Sequence, residues 1–184
     1  MARKYKIHDQ QELYFVTFTV VNWIDVFTRD AYRQIFLNSV KYCQQNKGLN
    51  VGAWVIMINH IHMIIGTNGD NKLQDIIRDL KSFVSRQMRL TIEQNSEESR
   101  RGWIIWMLKR AGMANSKNNN FQFWIQDNHP IQLSTGEMLL ERLNYIHNNP
   151  VKAGFVAQPD HWLYSSAHDY CGGTQGLIDL MMLL

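Results

Sequence analysis

The amino-acid sequence predicts an α+β fold built around an antiparallel sheet. Two observations carry that expectation. Four short runs are rich in aromatic and β-branched residues and have strand length, and longer stretches between and after them repeat their apolar residues at helical spacing. With 184 residues, 45% of them hydrophobic and 19% charged, the chain suits one soluble domain spanning 1–184, with about 151–184 as a C-terminal cap.

Taken in order, LYFVTFTV (Leu13 to Val20) reads as the first strand. Asp30 is placed to cap a helix from about Ala31 to Gln45, in which Ile35 and Val40 belong to a helical pattern. LNVGAWVIM (Leu49 to Met57) is the second strand, and after a break at Ile58 and Asn59 the run His60 to Gly66 is the third, antiparallel to it. The turn and cap residues NGDN (68–71) open a helix to about Leu90. Its apolar floor is Leu73, Ile76, Ile77, Leu80, Val84 and Met88, and its flank carries Arg78, Lys81, Ser82, Ser85 and Arg89.

Glu97 to Gly112 (EESRRGWIIWMLKRAG) reads as a helix, acidic at its start, basic near its end and terminated by Gly112. After the polar loop NSKNNN, FQFWIQD (Phe121 to Asp127) is the fourth strand by composition and alternation. Ser134 with Glu137 forms a capping box, opening a helix that Pro150 stops near Asn149. The order β, α, β, β, α, inserted helix, β, α describes a ferredoxin-like (RRM-like) antiparallel sheet with helices on one face and an added C-terminal helix that bears Tyr145.

Composition narrows the function classes. The net charge of +3 and pI near 8.9 permit a polyanionic partner without the charge density of a histone-like protein. No apolar run approaches the roughly 18 residues of a membrane span, and Met1 to Gln10 lacks the apolar stretch of a secretory signal, so a cytoplasmic protein with no membrane partner is expected. Cys43 and Cys171 are too few for a disulfide framework or a cysteine-rich zinc site. A metal would need His, Asp, Glu, Asn or Gln.

The stretch NHIHMIIG (Asn59 to Gly66) draws attention for that reason. On a strand, His60, His62 and Ile64 face one way and Ile61, Met63 and Ile65 the other. Same-face neighbours lie about 7 Å apart at the backbone, close enough for two tilted imidazoles to share an ion. Seven histidines also produce His-x-His by chance, and two ligands do not make a site. The helix ERLNYIHNNP (Glu141 to Pro150) offers further donors: Leu139, Leu143 and Ile146 form its apolar stripe, whereas Tyr145 and Asn149 are i, i+4 neighbours on another face that also carries Arg142. Spacing alone favours the plainer reading, a tyrosine at the core's edge and an asparagine at a helix end.

His60-Ile61-His62 resembles the histidine-hydrophobic-histidine motif of HUH nucleases, and YIHNNPVKAG (Tyr145 to Gly154) resembles the signature of REP-associated tyrosine transposases, single-tyrosine enzymes of single-stranded DNA. The likeness runs from the first strand through FQFW and DNHPIQL to WLYSSAHDY. It implies that Tyr145 is the nucleophile, that His60 and His62 are metal ligands and that Asn149 is the candidate third ligand, standing where the better-known branch often has glutamine. It further implies Mg2+ or Mn2+ as cofactor and DNA transposition or recombination as the activity: an endonuclease and strand transferase acting on single-stranded or hairpin DNA, repeated palindromic elements included, through a 5′-phosphotyrosine. Monomer and homodimer both remain open, as do mobile and domesticated roles.

A DNA substrate of this kind calls for backbone neutralisation and base stacking. The DNA-binding candidates are Arg78, Lys81 and Arg89, whose flank reads equally as a solvated face, and Lys152 for phosphate, and Trp124, with Phe123, for stacking, although strand aromatics more often belong to the core; His129, Arg142 and His147 are candidates for proton transfer or phosphate contact, or are structural. Two alternatives stand beside this reading. A noncatalytic single-stranded nucleic-acid-binding module would share the architecture but lacks the aromatic RNP1 pattern. A zinc hydrolase would use His60 and His62, but no carboxylate lies in a general-base motif nearby.

Overall fold

The computed structural model describes residues 7, 9–115, 120–126, 129–172 and 175–183. Its elements are β1 (Tyr14–Thr19), α1 (Asp30–Lys47), β2 (Leu49–Ile56), β3 (His60–Thr67), α2 (Leu73–Gln94), α3 (Arg101–Met113), β4 (Ile131–Gln132) and α4 (Gly136–Lys152). Short 3-10 turns at Val21–Trp23 and Pro159–His161 and a one-turn helix at Ala167–Tyr170 complete them. The strands pair antiparallel in the order β2-β3-β1-β4, which gives the open α+β sheet expected from the element order.

Strand alternation sorts the core into two layers. Tyr14, Val16, Phe18 and Val20 point into a cluster with Tyr32, Phe36 and Val40 of α1, Ile76, Leu80 and Val84 of α2, and Ile104 and Leu108 of α3. Phe15, Ala53, Val55 and Ile64 point the other way, onto Leu143 and Ile146 of α4. The added helix therefore covers the sheet face opposite α1 and α2, and this puts the Tyr145 helix over the histidines.

Several boundaries differ from the sequence expectation. Asp30 opens α1 as its first residue instead of capping it, and its carboxylate receives Gln34 Nε2 at 3.2 Å and the Tyr164 hydroxyl. The NGDN turn does not cap α2: the Leu73 N–H donates to Gln10 Oε1 at 2.7 Å, and the helix runs on to Gln94. In α4 Thr135, one residue after Ser134, accepts the Met138 N–H at 3.2 Å. Pro150 does not end α4, because in the last turn its missing N–H forfeits a single bond and the helix continues to Lys152. Gly112 lies within α3, and a side chain there would meet the backbone N of Phe121 at 2.1 Å; close approach, not helix termination, explains the glycine.

The expected strand at Phe121 to Asp127 is the main correction; Asp127 itself lies outside the described residues. Residues 121–126 form one bridge, Trp124 to Val20, with the Ile125 N–H on Thr19 O and the Val21 N–H on Phe123 O, both at 2.8 Å. Phe123 and Trp124 are consecutive and both buried, with rings 4.6 Å apart edge to face. A regular strand sends neighbours to opposite faces, so burying both in one core requires the backbone to leave strand geometry. The fourth strand is instead the two-residue β4, paired with Tyr14 and Phe15.

The C-terminal segment lies along the edge of β2: Ile56 N–H donates to Tyr164 O, Ser166 N–H to Trp54 O and Met181 N–H to Val51 O. These bonds cover an edge that would otherwise expose unpaired backbone groups. Among the described residues no helix is long and apolar enough to cross a membrane.

Candidate active site

His60 and His62 open β3, and the β1–β3 register sets Thr19 opposite His60 and Thr17 opposite His62. Both imidazoles lie on the α4 side of the sheet, with ring centroids 4.8 Å apart. His62 is buried, stacks on Phe15 at 5.3 Å and pairs its Nδ1 with Thr17 Oγ1 at 2.8 Å. His60 pairs its Nδ1 with Asn59 Oδ1 at 2.7 Å. Because an amide oxygen only accepts, His60 Nδ1 carries the proton and its Nε2 offers a lone pair.

Helix α4 brings two more groups. Tyr145 stands edge-on to His62 at 5.1 Å and to Phe15 at 5.9 Å, and the Asn149 side chain lies close enough to His60 to favour its charged form. Leu143 and Ile146 fix this arrangement by anchoring the helix against Phe15, Ala53, Val55 and Ile64. One chain thus brings together Tyr145, His60, His62 and Asn149. Two cations flank them: Arg142 lies 5.2 Å over the Phe15 ring and Lys152 5.9 Å from the Tyr145 ring.

Burial lowers the pKa of His60, outweighing the Asn149 contact. His62 is pushed down to about 3 by burial, by His60 and by Arg142. Both rings are neutral at physiological pH, the form in which imidazole binds a metal. Among the described residues no three His, Cys, Asp or Glu side chains are grouped to hold an ion; Asn149 is the further oxygen donor that α4 brings to the pair. The donor set fits a divalent metal on one specific observation: His62 Nε2 is buried and has no hydrogen-bond partner among the described residues. An unsatisfied buried polar atom costs about 1–3 kcal/mol, and an ion facing Nε2 removes that cost. Thr17 and Asn59 hold the opposite nitrogens, as partners of metal-bound histidines do.

Neither Thr17 nor Asn59 stands out by sequence pattern. Thr17 becomes visible only once the β1–β3 register is known, and Asn59 adjoins His60 in a segment that reads as a strand break. His147, a candidate for proton transfer, is turned away: its Nε2 pairs with Ser166 Oγ at 2.9 Å, its ring packs on Tyr170, and burial pushes its pKa down to about 4. It ties α4 to the C-terminal segment. His129, at φ 40°, follows the undescribed residues 127–128.

The remaining DNA-binding candidates lie across the sheet. Arg78, Lys81 and Arg89 project from α2 into a groove of about 730 Å³ between that helix and residues 121–126. Arg78 is bound to Asp75 at 2.6 Å and to Asp79 at 3.0 Å, and Arg89 to Glu93 at 3.1 Å. Lys81 Nζ donates to Ile125 O at 3.1 Å. The Ile125 N–H in turn donates to Thr19 O, and Thr19 is the β1 residue opposite His60. Trp124 corrects the expectation of a stacking surface. It is 6% exposed, lies parallel to Phe27, and gives its indole N–H to Lys81 O at 3.2 Å, so it and Phe123 are core residues.

The family model described as "Transposase IS200 like" matches residues 10–109, more than half of the chain; the match includes both histidines and ends before the Tyr145 helix. No curated protein sequence matches. The structure of a REP-associated tyrosine transposase bound to a REP hairpin superposes with a TM-score of 0.68 at 16% identity, over 100% of this chain and 94% of that one. A putative transposase from Deinococcus radiodurans aligns at a TM-score of 0.43 and 15% identity, over 81% of this chain and 95% of that one. The fold is that of the REP-associated enzyme, and by its sequence the chain belongs to the IS200-like transposase family.

Proposed function

We propose that this chain is a metal-dependent, single-tyrosine DNA transposase of the REP-associated type, which cleaves and rejoins single-stranded or hairpin DNA through a 5′-phosphotyrosine. The observation that carries the reading is the meeting, within one chain, of Tyr145 with a buried His62 whose Nε2 lacks a partner among the described residues. The hairpin carried by the superposed relative supports hairpin DNA, such as a repeated palindromic element, as the substrate.

His60, His62 and Asn149 would hold a divalent ion, Mg2+ or Mn2+, and such an ion when bound polarises the scissile phosphate and orients its oxygens. The chain's own residues do the rest. A phenol of reference pKa near 10 is a weak nucleophile, so positioning matters, and packing of Tyr145 against His62 and Phe15 limits the directions its hydroxyl can take. The Tyr145 oxygen forms the new bond to phosphorus as the bond from phosphorus to the 3′-oxygen breaks. The phenolic proton is lost and the departing 3′-oxygen gains one. Arg142 and Lys152 are placed to offset charge on the phosphate. The ester retains the energy of the broken phosphodiester, so a 3′-hydroxyl can attack it and rejoin strands without a nucleotide cofactor.

The test is incubation of the protein with end-labelled hairpin DNA and Mg2+ or Mn2+, read on a denaturing gel. A covalent protein–DNA band that is lost in Tyr145→Phe supports the proposal. Undiminished cleavage by that variant points to a hydrolase, and binding without cleavage under either metal points to a noncatalytic module.

A further inference from the structure

Trp23 is 61% exposed, whereas Trp54 and Trp124 are buried. It lies edge-on to His60, with centroids 5.8 Å apart. Its backbone is also unusual: Asn22 at φ 56° and Trp23 at φ 55° are consecutive non-glycine residues in the left-handed region. Each such residue costs about 1–2 kcal/mol, and strain of this kind gathers where a side chain must be aimed.

The surroundings maintain that conformation. Trp23 N–H donates to Val20 O at 3.0 Å, and Asn59 Nδ2 donates to Trp23 O at 3.3 Å. Asn59 is the same residue whose Oδ1 receives His60 Nδ1, so one amide ties the tryptophan's backbone to the imidazole. The indole is thereby held at the rim of the candidate active site, largely exposed to solvent.

We propose, building on the transposase reading, that Trp23 is a stacking platform for a nucleobase of the single-stranded segment next to the phosphate that is cleaved. An open indole face binds any base by its π surface, and a platform beside His60 would fix the strand on one side of the reacting phosphate while Tyr145 lies on the other side of the histidines. The strained turn keeps the ring out of the core, where Trp54 and Trp124 are buried. Trp23 on this account binds substrate and takes no part in proton transfer.

The test uses the full-length Tyr145→Phe protein, so that binding is read without cleavage, and hairpin oligonucleotides carrying a single 2-aminopurine, moved one position at a time along the single-stranded flank. At one position its fluorescence should be quenched on binding, with quenching lost in Trp23→Ala and retained in Trp23→Phe. The same alanine change should weaken binding of intact DNA about 5- to 150-fold, the range for losing one base–aromatic stack. An abasic residue at that position should weaken the Trp23 protein but add nothing to Trp23→Ala. Affinity unchanged in Trp23→Ala, or abasic effects that add to it at every position, would overturn the inference and leave the transposase reading standing. Failure of the Trp23-containing protein to bind any of the oligonucleotides would overturn both.

Discussion

Tyr145 and His62 of one chain stand edge to face with ring centroids 5.1 Å apart and planes at 70°. They meet because β1 alternation turns Phe15 toward the same side as His62, and α4 packs Leu143 and Ile146 onto that side. The proposed nucleophile and the proposed metal ligands therefore meet within one chain. An equimolar mixture of His62→Ala and Tyr145→Phe chains should stay as inactive as either alone in the covalent-adduct assay. Recovered adduct on mixing would show that the tyrosine helix serves a second chain.

Thr17 is expected to act through His62. Replacing it by valine keeps the shape but removes the partner of Nδ1, so the ring loses the bond that fixes its tautomer. Titration with Mn2+ followed by electron paramagnetic resonance should show affinity weakened by about 10- to 100-fold, with the thermal midpoint little changed. Unaltered affinity would mean that packing on Phe15 alone orients the imidazole.

The cations on the two sides of the sheet should separate in their effects. Arg89→Ala in the α2 groove is expected to weaken hairpin binding and to reduce the slope of log affinity against log salt by about one, with the cleavage rate of bound DNA unchanged. Lys152→Ala, beside Tyr145, should change both the salt slope and that rate. Fluorescence anisotropy across a salt series and single-turnover cleavage distinguish them.

Glu98 offers a stability test away from the site. It is 4% exposed; Arg29 Nε lies 2.7 Å from one carboxylate oxygen and the Arg100 N–H 3.1 Å from the other. Burial pushes its pKa up, but the Arg29 bond, the Arg100 N–H and the two guanidinium charges outweigh this and hold it below the usual carboxylate range. A carboxyl depressed by folding stabilises the protein above the unfolded value near 4.3, and that contribution is lost as pH falls through the lower folded value. Glu98→Gln should thus cost about 2 kcal/mol at pH 7, less than the roughly 3–5 of a fully buried pair because the arginines are partly exposed. Urea unfolding should show the gap between variant and parent narrowing below pH 4.3. A gap independent of pH would contradict the assignment.

Much of this was legible in the sequence because periodicity reports which face of an element is buried. The three long strands, the apolar floor of α2 and the stripe of Leu143 and Ile146 each state their own packing. Alternation in FQFWIQD resembles a strand, and sequence does not reveal that the neighbouring rings of Phe123 and Trp124 both enter one core. Thr17, Asn59 and Trp23 were invisible for another reason. Their importance comes from cross-strand register and from backbone angles, which are set by tertiary contacts between segments far apart in the chain.

The most direct test of the central claim is mass spectrometry of the covalent adduct formed by the unaltered protein with hairpin DNA and Mg2+ or Mn2+. After protease and nuclease digestion, a nucleotide 5′-phosphate should be found on the peptide containing Tyr145 and on no other of the seven tyrosines. Attachment to a different residue, or metal-dependent cleavage with no protein-bound nucleotide, would contradict the account.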